Sequence, residues 1–116
     1  MLTGAMLGLM EQLGLDILTL TEEINEAEFF ASRLTRTETL RLLGSLTQTV
    51  ANLPIGVREQ MPEINWAAWA ALSLVLPKPT HHPLQIWVAI KELTPMTLQH
   101  LNGYKRTQPK LFSIVP

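Results

Sequence analysis

The sequence has no cysteine, and that one absence excludes a disulfide framework, thiolate zinc sites, iron–sulfur clusters and a cysteine nucleophile. Charge is scarce as well: nine lysines and arginines stand against ten aspartates and glutamates, 16% of the chain, for a formal charge of −1. The overall basic footprint that neutralises nucleic-acid phosphates is missing, so any RNA or DNA contact has to be local. No run of alternating β-branched residues is long enough for a strand. The six glycines are all isolated, and none sits in the Gly-Lys-Ser or Gly-Lys-Thr setting of a phosphate loop. The apolar stretch from Met1 to Met10 has no basic lead-in, and Glu11 and Asp16 cut it off well short of a membrane span. The expectation is a cytoplasmic protein without membrane contact.

What is present is an apolar helical pattern. At 116 residues and 47% hydrophobic content the chain can build one core and no second domain. Apolar residues recur at steps of three and four, which predicts an all-α fold: an up-and-down bundle of four to five helices over residues 1–104, followed by a C-terminal tail, 105–116. Leu7, Met10, Leu13, Ile17 and Leu20 mark a first helix over 4–21. Asn25 with Glu28 has capping-box spacing before Phe29 and Phe30, and Thr35 with Glu38 repeats it before a helix over 36–52. Pro54 bounds that helix, and a short helical turn is expected between Pro54 and Pro62. Asn65 is placed to cap a helix starting at Trp66. Pro77, Pro79 and Pro83 demand a loop, since proline removes a backbone donor and disfavours helix in the residue before it. Pro83 then suits the first turn of a helix with Ile86, Trp87 and Ile90. Thr94 and Pro95 imply a kink or a restart, with the last helix ending at Gly103.

From Ile64 to Pro77 there is no charge at all. Apolar residues point all round that helix, a pattern that implies burial on more than one side and more cover than a lone small bundle provides. Trp66, Trp69, Leu72 and Leu76 are therefore expected to form a dimer or partner interface. The first half of the chain, 1–58, holds seven acids and four bases, and the second half three acids and five bases. This mild asymmetry is the mark of a solvated face.

Catalytic patterns are thin. His81 and His82 are adjacent and His100 is distant, so the i, i+4 spacing of helical zinc ligands is absent. The acids Glu22, Glu23, Glu26 and Glu28 lack the Glu-x-x-His pairs of carboxylate metal sites in bundles. Ser32, Ser45, Ser73 and Ser113 have no nucleophile-elbow context. No metal and no cofactor is expected.

From Leu15 to Leu101 the order of segments resembles the HepT-like branch of the HEPN family. The residues that carry the likeness are Asp16-Ile17-Leu18, Phe29 and Phe30 with Leu34-Thr35-Arg36, Leu53-Pro54, Val57-Arg58, and above all Pro62-Glu63-Ile64-Asn65-Trp66. Trp87 and Leu93-Thr94-Pro95 resemble the closing helix. The resemblance implies a helical homodimer of toxin–antitoxin type, encoded with a minimal nucleotidyltransferase. Active members are metal-independent endoribonucleases built on an Arg followed four to six residues later by His, often with a Tyr two beyond. In such a pair the His serves as general acid or base and the Arg steadies charge on phosphate. Here those positions fall on Ser73, Lys78 and Thr80, and the family's Gly-Glu-Ala turn on Thr47-Gln48-Thr49. No Arg in the chain has a His four to seven residues later. Thr80 offers only a poor hydroxyl for the adenylylation by which the nucleotidyltransferase silences the toxin.

The expectation is a scaffold kept without its ribonuclease motif, acting by dimerisation and partner binding. The alternative is an endoribonuclease toxin that cleaves RNA through substituted groups, Lys78 with His81 or His82, and is neutralised by a nucleotidyltransferase antitoxin. Lysine neutralises phosphate as a point charge without the bidentate fork of arginine.

Overall fold

The computed structural model describes residues 2–113, and among them every regular element is helical. Three long rods and one shorter one form the bundle: α1 (Leu2–Thr21), α3 (Arg33–Asn52), α5 (Trp66–Val75), and a composite rod of α6 (Pro83–Val88), a π-helical turn (Ala89–Leu93) and α7 (Thr94–Thr107). Short pieces join or finish them: α2 (Glu26–Ala31), α4 (Ile55–Glu59) and α8 (Pro109–Phe112). The all-α bundle expected from the spacing is the observed architecture. α1 packs against α3 and α7, while α5 packs mainly against α3.

Local chemistry explains the boundaries. At α2 both halves of the capping box form: the Asn25 side chain accepts the Glu28 N–H at 2.8 Å, and the Asn25 N–H donates to the Glu28 carboxylate at 3.0 Å. Asn65 Oδ1 accepts the Ala68 N–H at 3.0 Å and opens α5 at Trp66, as the sequence implies. The cap of α3 differs from expectation, because Ser32 rather than Thr35 takes it. Ser32 also closes α2, through its own N–H to the Glu28 carbonyl, so one residue turns the chain between two helices.

In α1, Leu7, Met10, Leu13 and Ile17 are buried, but Leu20 is 37% exposed. Thr21 turns inward in its place, its hydroxyl donating to the Ile17 carbonyl at 2.8 Å so that no buried donor is left unpaired. Gly14 faces α7 so closely that a Cβ there would lie 2.8 Å from a Leu98 methyl. A side chain at this position would have to push the Leu98 side chain aside.

At Thr94-Pro95 the closing rod changes helix type without leaving the helical region: the π-helical turn Ala89–Leu93 gives way to α7 at Thr94, with Pro95 in its first turn. Proline cannot donate to the carbonyl four residues back and its ring crowds that carbonyl. The rod widens to a π turn just before it, and the Thr94 hydroxyl donates to the Ala89 carbonyl at 2.7 Å. α7 then runs beyond Gly103 to Thr107, because Tyr104 is a buried anchor and not an exposed end. Leu111 and Phe112 of α8 pack onto the core, so the first residues of the expected tail belong to the bundle. Of the apolar end Leu111–Val115, Ile114 and Val115 lie outside the described residues.

Candidate functional site

Ser73, Lys78 and Thr80, the positions expected from the resemblance to correspond to a ribonuclease motif, lie where α5 hands over to α6. Ser73 is exposed on the last turn of α5, and its hydroxyl donates back to the Ala70 carbonyl at 2.6 Å. Lys78, Thr80, His81 and His82 are exposed on the connector, with Pro79–His81 wound as one 3-10 turn. The fold thus brings Lys78, His81 and His82 into one short loop. It supplies no arginine there, because none occurs between Arg58 and Arg106.

The expected interface set is redistributed. Trp69 is 0% exposed and Leu72 3%, so both belong to the core of the single chain and cannot also face a partner. Trp69 hands its indole N–H to the Thr97 hydroxyl at 2.9 Å, tying α5 to α7. Trp66 and Leu76 are half-buried. The Trp66 indole N–H is shared between the carbonyls of Met61 at 3.0 Å and Arg58 at 3.1 Å, which fixes the turn before α5. The outward face of the uncharged helix is instead Ala67, Ala70, Ala71 and Leu74, with Leu74 82% exposed.

Beside that face runs a groove between α5 and the α6–α7 rod. Its upper part is lined by Ala68, Ala71, Gln85, Val88 and Leu93, and its lower part, about 180 Å³, by Glu63, Ala68, Val88, Glu92, Met96 and His100. Leu84, Val88 and Met96 stand exposed along the α6–α7 side.

The lower end is polar. The Tyr104 hydroxyl donates to the Glu63 carboxylate at 2.8 Å and accepts the Glu63 N–H at 3.2 Å. His100 lines the same end from one turn earlier on α7. Burial raises the Tyr104 phenol above its ordinary 10.0; the Glu63 N–H opposes this, and the hydrogen bond to the Glu63 carboxylate and its charge raise it further. A raised value in the folded state means that the proton is held more tightly there. The associated stability is whole below about pH 10 and is lost as pH rises through the folded value. Tyr104 is the sole tyrosine, so tyrosinate absorbance reads it without interference. The expected titration midpoint lies above that of free tyrosine, and Glu63→Gln moves it down.

The sequence gives little hint of this end of the groove. His100 and Tyr104 share a helix face at i, i+4, but Glu63 is far away in the chain, and only the fold joins them. Glu63 and Glu92 place two carboxylates at the lower end of the groove, beside His100. Among the described residues no group of His, Asp or Glu is arranged to hold a metal ion, and no helix is long and apolar enough to cross a membrane. The chain matches no family model, and no curated protein or solved structure shows significant similarity to it.

Proposed function

We propose that the chain is a cytoplasmic HepT-like scaffold that has lost its ribonuclease motif and works by binding, assembling with itself and with a nucleotidyltransferase-type partner. The observation that carries this reading is a pairing around the α5–α6 turn. The positions that the resemblance assigns to the motif, Ser73, Lys78 and Thr80, lie exposed without an Arg–His pair, while Leu74, Leu84 and Val88 on the two flanking helices are exposed as well. A cleavage site needs a proton-transfer group beside a phosphate-binding cation. A binding face needs apolar area with a polar rim.

The test is RNA cleavage by the purified chain in excess chelator, beside a version carrying Ser73→Arg and Lys78→His. The expected result is silence from the natural chain and cutting by the restored one. Cutting by the natural chain overturns the reading in favour of an endoribonuclease, in which case His81→Ala with His82→Ala abolishes activity while the helical fold persists.

A further inference from the structure

We infer that α8 is a hinged strap: it closes over the first turns of α1, latched by its backbone on Gly4, and it opens about Gln108–Pro109 while the rods of the bundle stay folded. The open form puts Leu111 and Phe112 in water, together with the core surface they cover.

Pro109 has no N–H with which to continue α7. The rod stops where the Gln108 N–H donates to the Tyr104 carbonyl at 2.6 Å, and Gln108 itself leaves helical geometry at φ −133° and ψ 62°. Up to this point α7 is tied down: Tyr104 is buried, and the Lys105 ammonium reaches the Glu11 carboxylate of α1 at 3.4 Å. Beyond it, α8 has four residues, Pro109–Phe112, too few to hold a helix by themselves in water. Half-buried Leu111 and Phe112 hold it on the core, where it packs on α1 and α7. The other hold is a close approach of two backbones. Gly4 is buried, and a Cβ built there would lie 2.7 Å from the Ser113 carbonyl carbon and 2.9 Å from the Phe112 oxygen, with the Ser113 oxygen nearer still. These are main-chain atoms, which cannot rotate aside as the Leu98 side chain can at Gly14, so the strap seats only because position 4 is glycine. Gly8, one turn further along α1, has nothing near enough to meet a Cβ. Between the strap and Gln60 lies a cavity of about 360 Å³, which gives the strap room to swing. The bond across it, from Gln108 Nε2 to the Gln60 carbonyl at 3.1 Å, starts from the hinge itself. A short segment held by two half-buried side chains and one backbone contact opens locally, well before the core.

The experiment is limited trypsin digestion of the full chain, with fragments identified by mass, beside hydrogen exchange of amides 110–113. Cleavage after Lys110 reads the strap, while cleavage after Arg41 in α3 and Lys91 in the π turn reads the rods. The natural chain is expected to be cut after Lys110 far more slowly than a free peptide of residues 107–116. Gly4→Ala is expected to speed that cleavage, and the exchange of amides 110–113, at least tenfold, and to leave the Arg41 and Lys91 sites within twofold of their natural rates. Gly8→Ala makes the same change on the same helix where space is open; it leaves every rate unchanged or lower, since alanine favours the helix. Phe112→Ala removes an anchor from the strap without touching α1, and is expected to act as Gly4→Ala does; it carries the same test should Gly4→Ala disturb α1 itself. Natural rates after Lys110 in both variants overturn the latch. A rise at all three sites together means that α8 opens only with the whole bundle, and overturns the hinge. A natural chain cut after Lys110 at the rate of the free peptide overturns the closed strap.

Discussion

Trp69→Ala is expected to cost about 3–5 kcal/mol, the range for emptying a buried large aromatic site, and to lower Tm by more than about 10 °C for a chain of this size. The side chain is wholly buried and joins α5 to α7 through the Thr97 hydroxyl. Removing it takes away both the ring contacts and the partner of Thr97. Total stability of a domain is commonly about 5–15 kcal/mol, so the variant sits near the edge of folding. Trp69→Phe separates the two contributions: it keeps most of the apolar volume, loses the N–H, and is expected to cost about 1–2 kcal/mol. Trp66→Ala, at a half-buried position, costs less than Trp69→Ala. Urea unfolding followed by circular dichroism checks all three. Equal losses at Trp66 and Trp69 would contradict the core assignment of Trp69.

The contrast between these tryptophans also shows which parts of the molecule were readable from residue types. Asn25 and Asn65 were legible as caps because a cap is a contact between a side chain and an N–H three residues away, complete within one turn. The cap of α3 was not, since Ser32 and Thr35 are equally able acceptors and the choice falls to Ser32 only because α2 ends on it. The uncharged α5 announced apolar surroundings, but composition does not say which side is core. The tryptophan side turned inward and the alanine side outward, so the residues expected at an interface became the ones that hold the chain together. Gly103 read as a stop because a helix loses propensity there, yet burial of Tyr104 one residue later outweighs that loss and carries α7 another turn. The Glu63–Tyr104 bond, between residues 41 positions apart, has no local signature at all.

At the opposite end of the bundle, Phe29→Ala is expected to cost about 3–4 kcal/mol, again as a vacated buried aromatic site. α2 has only six residues, too few to hold itself together in water, so its helicity depends on tertiary anchoring. Phe29 is 0% exposed and is that anchor, meeting the Phe30 ring edge-on at 5.0 Å and the Trp87 ring at 5.7 Å. Trp87 in turn lies under the Lys91 ammonium, 5.0 Å from the ring centroid, and the same ammonium donates to the Thr21 carbonyl at 2.6 Å. A cation there meets the negative end of the α1 dipole. Loss of Phe29 therefore undercuts a stack that links the end of α1, the whole of α2 and the start of the closing rod. The capping box of α2 survives the substitution but is too weak to compensate, at roughly 1 kcal/mol. Hydrogen exchange should show amides 26–31 losing protection first, with the urea midpoint falling, while Phe30→Ala, at a half-buried position, has the smaller effect on both. Unchanged protection of those amides in Phe29→Ala would mean that the short helix is held by its cap and by Arg36, whose guanidinium donates to the Phe30 carbonyl, and not by the aromatic stack.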